Sequence, residues 1–78
     1  VKKPIEGSIV HYVLPDGRHK GEHRGAIVTK VGDRSLVNLS VFGDSSNDGP
    51  QYAMGSVWRT SVQFSEGKEP GTWHWIEK

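Results

Sequence analysis

Apolar residues in this chain recur at every second position, in short runs cut by glycine or proline, and that period belongs to half-buried strands rather than helices. Ten glycines and four prolines supply the punctuation. Residues 8–14 (SIVHYVL) read as a first strand, and Pro15-Asp16-Gly17 turns the chain because proline presets φ and glycine accepts a positive one. A polar stretch, 18–24, follows as a long loop. Residues 25–31 (GAIVTKV) form a second strand, and Gly32-Asp33-Arg34 makes a tight connection to a third over 35–42. There Val37, Leu39 and Val41 share one face and Asn38 and Ser40 the other. Residues 43–51 make a loop. A fourth strand over 56–65 is expected to put Trp58, Thr60, Val62 and Phe64 on one face. After a turn over 66–71, a last strand over 72–77 places Trp73 and Trp75 on one side and His74 and Ile76 on the other. No segment joins helical period to a capping box, so helix content is expected to be close to nil.

Five strands with one long early loop predict an all-β fold, a small five-stranded SH3-like barrel, in which closure removes the sheet edges that invite uncontrolled pairing. The alternative is an open β-sandwich completed by a neighbouring subunit. Residues 1–78 are expected to make a single domain with 1–7 as an N-terminal arm, and Val10, Val28, Val37, Leu39, Val41, Val62 and Phe64 to contribute to the core. A chain of 78 residues buries only about 60% of the surface it exposes when unfolded, which leaves about 3–5 kcal/mol of net stability. There is no cysteine, so disulfides and thiolate zinc sites are excluded, and a homo-oligomer becomes the expected source of further burial. Ten basic and nine acidic side chains give a net charge of +1, without the basic excess of a nucleic-acid domain. Nucleic acid is therefore disfavoured as a partner. No apolar run approaches the ~20 residues of a membrane helix, and neither a membrane partner nor an export signal is expected.

Val10-His11-Tyr12-Val13-Leu14-Pro15-Asp16-Gly17, Val37-Asn38-Leu39, Asn47-Asp48-Gly49 and Pro70-Gly71-Thr72-Trp73-His74-Trp75 carry a resemblance. From Ser8 to its C-terminus the chain resembles a family of small proteins of tailed bacteriophages and prophages that end in a PGTWHW-like strand. What the resemblance implies is a phage context, virion-associated, with the virion or the host cytoplasm as location. It carries over no catalytic residue.

Several constellations point to chemistry, each with a plainer reading beside it. His19, Glu22 and His23 share the first loop, with His11 near in sequence, and neutral imidazoles brought together there would suit a metal. A solvated loop explains them as well, and no metal or other cofactor is expected. Asp44-Ser45-Ser46-Asn47-Asp48-Gly49 opens like a calcium loop, but the twelfth position is Gly55 where a bidentate glutamate is needed, which leaves an Asx-rich turn. Arg18, Lys20, Arg24 and Lys30 make a locally basic region. Arg18, His19, His23, Arg24, Asp44 and Asp48 are the candidates to line a cleft between the two loops. Trp58, Trp73, Trp75 and Tyr12 are the interface candidates, because tryptophan and tyrosine anchor interfaces. No Ser-His-Asp order, carboxylate pair or phosphate loop stands in a suitable context, so no enzyme is expected. Ser61-Val62-Gln63 resembles the SVQ strand of the plasmid type II dihydrofolate reductases, but Phe64 and Ser65 replace the isoleucine and tyrosine that continue it. The expected function is a phage-type structural or assembly module that self-associates or binds another virion protein. The alternative is an accessory protein that takes a small molecule or nucleic acid in the loop-lined cleft.

Overall fold

The computed structural model describes residues 2–76. Five strands, β1 (Ile9–Val13), β2 (His23–Val31), β3 (Val37–Phe42), β4 (Ser56–Phe64) and β5 (Thr72–His74), close into a barrel in chain order. Neighbours are antiparallel except β4 and β5, which run parallel, and β5 closes the ring by pairing antiparallel with β1. The architecture is the expected all-β one, consistent with a small SH3-like barrel. Its helical content among the described residues is three short 3-10 turns, at Asp33–Ser35, Ser45–Asp48 and Pro50–Tyr52. None of these is long and apolar enough to cross a membrane.

Alternation fills the barrel. Val10, Val28, Val37, Leu39, Val41 and Val62 are buried and Phe64 packs against them, as the period predicts. Tyr12, Leu14, Ala26, Tyr52 and Trp73 complete the same cluster. β4 departs from the expected face. Leu39 pairs with Arg59 but Val37 pairs with Val62, so two steps along β3 match three along β4. The extra residue is a bulge at Ser61, whose φ is 54°, and it reverses the alternation. Trp58 consequently lies outside while Val62 lies inside, instead of sharing a face. Asn38 stabilises the bulge by accepting, at its Oδ1, from the Ser61 N–H (3.0 Å) and the Thr60 hydroxyl (2.9 Å).

β5 is shorter than expected. It ends at His74, so Trp75 and Ile76 lie beyond the ladder, and Glu77 is outside the described residues. The N-terminal arm lies against the barrel: Pro4 is buried, Gly7 donates to the Val28 carbonyl (2.7 Å), and Glu6 Oε2 accepts from the Val31 N–H (3.2 Å). It extends the barrel wall beside β2.

Gly43, just after β3, is held by packing rather than by φ. A Cβ there would overlap the buried Tyr52 ring, 2.6 Å from Cγ and 3.0 Å from Cε1. Gly43→Ala should therefore cost about 1–3 kcal/mol, the usual penalty for overpacking, read as a lower urea midpoint at unchanged slope.

Candidate functional site

The two loops expected to form a cleft are spent on each other. Arg24, the second residue of β2, meets Asp48 in a two-pronged pair, Nε to Oδ2 at 2.6 Å and Nη2 to Oδ1 at 2.8 Å. Asp48 Oδ2 also accepts from the Asp44 backbone N–H at 2.5 Å, and His19 Nδ1 lies 3.2 Å from Oδ1. The Asp48 side chain is wholly buried. Its charge-assisted bonds from Arg24 hold the carboxyl well below the usual carboxylate range, against burial, and raise the guanidinium's own pKa. Of the six cleft candidates, His19, Arg24, Asp44 and Asp48 do converge, but into a filled, internally satisfied network. Arg18 is exposed, and His23 belongs to another group. Arg24 and Asp48 need each other once buried, so their charges are directed at one another.

The interface candidates separate in the same way. Tyr12 and Trp73 are core residues, 3% and 1% exposed, and the Trp73 indole donates to the Ser35 carbonyl at 3.0 Å. Both sit on inward strand positions, paired with each other across β1 and β5, and so present no outer surface. Trp75 is half-buried, edge-on to Trp73 at 5.5 Å, with its N–H directed to the Lys2 carbonyl (3.3 Å) and the Lys2 ammonium 5.0 Å above its ring. Trp58 alone stands out, 61% exposed.

Register shows what surrounds Trp58. Ile9 pairs with Ile27, Ile27 with Ser40, and Ser40 with Trp58, so these four residues make one row across β1, β2, β3 and β4 on the outer face. At the strand spacing of a sheet the row is roughly 14 Å long. Phe42 lies two residues from Ser40 on the same face and is 47% exposed; Ile9 is 59% exposed. Ser56 is the partner of Phe42 on β4, and the row itself, Ile9, Ile27, Ser40 and Trp58, carries no charged side chain.

A second outer-face group lies at the seam where the ring closes. His11 on β1 is the direct partner of His74 on β5. On its other side His11 faces Gly25, and His23 stands two residues before that glycine, hence on the same face. The strand period and two registers thus gather three imidazoles that are 12 and 51 positions apart in sequence order from His11 to His23 and from His23 to His74. Ring centroids are 5.7 Å apart for His11 and His23, 5.5 Å for His11 and His74, and 4.5 Å for His23 and His74. One nitrogen from each lies within 4.8 Å of the others. His74 is 3% exposed, and neither of its ring nitrogens has a hydrogen-bond partner. Burial, and then the neighbouring His23 and His11, push its pKa down to about 4. His11 is lowered too, by burial and by His23. Both shifts favour the neutral imidazole, which offers a lone pair. Beside them Phe64, Glu66, Lys68, His74, Trp75 and Ile76 line a depression of about 320 Å³.

Sequence alone groups His23 with His19 and Glu22 in a loop and sets His74 beside Ile76 on the last strand, apart from them. The signal that finds the group is the inward position of Trp73, which turns His74 outward beside His11. No family model, no curated protein and no solved structure matches this chain.

Proposed function

We propose that this chain is a non-enzymatic assembly module of the tailed-phage type and that it self-associates through the outer face around Trp58. One observation carries the reading: on the outer face of a closed barrel, Ile9, Phe42 and Trp58 stand exposed around the half-buried Ile27 and make an apolar patch. Exposed contiguous apolar surface of this kind marks interaction sites, and interfaces between copies of one chain are the more apolar class. A net charge of +1 opposes self-association little, and a domain this small gains burial it lacks alone. The phage context rests on the sequence motifs, which run from Val10 to Trp75.

The test is the solution mass of the wild type and of Trp58→Lys. A defined oligomer is expected for the wild type. The variant, with its circular dichroism unchanged, should dissociate at least about 30-fold more readily, the equivalent of losing a hot-spot residue of about 2 kcal/mol. A wild type that stays monomeric at high micromolar concentration overturns self-association. In that case retention of the chain by a purified virion protein, lost in Trp58→Lys, would place the same face against a different partner.

A further inference from the structure

We propose that His11, His23 and His74 form a divalent transition-metal site, occupied by zinc, that clamps β5 to β1 and β2. The inference is separate from the self-association reading and involves a different patch of the outer face.

Three observations support it independently. The first is the donor set. Three imidazoles with one nitrogen each inside a 4.8 Å triangle are the protein half of a tetrahedral zinc site, whose fourth position goes to water or to an outside donor. Zinc–nitrogen bonds of about 2.0–2.1 Å at the tetrahedral angle require nitrogens about 3.3 Å apart. The imidazoles therefore close in by at most about 1.5 Å, and the exposed His23 is the ring with most freedom to move.

The second observation is that His74 is buried with both ring nitrogens unpartnered. Buried polar groups in folded proteins are nearly always paired, and an orphaned imidazole is costly. Coordination engages one of those two nitrogens. Three rings merely packed tilted or edge-on against one another leave both without a partner.

The third is where the group lies. β5 has only three residues, and two residue pairs join it to β1, His11 with His74 and Tyr12 with Trp73. The cluster straddles that seam. A chain with no cysteine has no covalent staple, and a metal held by β1, β2 and β5 reinforces one of the two seams where β5 is held by only two residue pairs. Neutral imidazole donors without thiolate or carboxylate suit zinc, copper or nickel rather than calcium or magnesium, and availability selects zinc among them.

The experiment uses the chain without a polyhistidine tag, stripped with a chelator. Zinc is titrated in by calorimetry, and cobalt is added separately for its visible spectrum. One equivalent of zinc per chain is expected, with a tetrahedral cobalt spectrum. The melting temperature should rise by about 10 °C or more once free zinc exceeds its dissociation constant 100-fold. His23→Ala, which truncates an exposed side chain, should keep the fold and weaken zinc binding by about 100-fold or more, beyond the 10–100-fold that the loss of an outer hydrogen-bond partner costs. His19→Ala, in the loop network, should bind zinc as the wild type does. The proposal is overturned if the wild type takes up no stoichiometric zinc, or if His23→Ala binds equally well. Loss of binding in His19→Ala, or a half equivalent per chain, would also overturn it, the latter by placing the ion between copies.

Discussion

Asp48→Ala is expected to lower stability by about 3–5 kcal/mol, a loss comparable to the whole net stability of a domain this size. The side chain is wholly buried and holds three groups at once: the Arg24 guanidinium, the Asp44 backbone N–H and His19. Truncation leaves a largely buried guanidinium with only the exposed Glu22 carboxylate, 3.1 Å away, as a counter-charge, and a backbone donor facing no acceptor. Urea unfolding should show the variant substantially unfolded at room temperature. A double replacement, Arg24→Met with Asp48→Leu, should recover much of the loss, because removing both members of a buried pair spares the desolvation that removing one exposes. If the double variant is no better than Asp48→Ala alone, the pair is not what joins these loops.

The same contact sets an acid limit. The folded Asp48 carboxyl ionises below its ordinary range, chiefly through the Arg24 hydrogen bonds. Its unfolded counterpart binds a proton at about pH 3.9, so the unfolded state takes up protons first as pH falls. The stabilisation is fully present above that value and is lost progressively beneath it. The acid limb of the melting-temperature profile should steepen below about pH 4 and flatten in the double variant.

What was legible in the sequence follows from how local each signal is. β3 alternates without interruption, and its three valine and leucine positions land inside as the period requires. β4 reads as a clean alternation too, yet Trp58 and Val62 end on opposite faces. A bulge is a relation between two strands: Asn38 on β3 captures Ser61, and nothing within 56–65 announces it. Arg24 and Asp48 were both singled out, but as ligand-facing polar residues. Their spacing of 24 positions says nothing of their meeting, and only contact shows that they neutralise each other. The histidines show the same limit. His11 and His74 are partners through the closure of the ring, the least local pairing the chain makes.

Trp73→Ala should unfold the domain without a separable loss of association, whereas Trp58→Ala should do the reverse. Trp73 is 1% exposed and touches Phe64 at 4.9 Å and Trp75 at 5.5 Å between ring centroids, so it joins the end of β4 to the segment after β5. Truncating a buried tryptophan costs about 3–5 kcal/mol, and the Ser35 carbonyl loses its indole donor as well. At about 4–8 °C per kcal/mol in a domain of this size, the melting temperature should fall by at least about 12 °C. Trp73→Phe retains part of the ring volume and gives up the N–H, and should fall between the wild type and alanine. Trp58 makes no comparable inward contact; its removal should leave melting of the monomer within a few degrees and reduce the solution mass. The two measurements, melting temperature and mass, are made on the same samples at several concentrations, since an oligomer's apparent stability follows concentration. A Trp73→Ala protein that melts like the wild type would place that indole outside the core and restore the C-terminal strand as an interface.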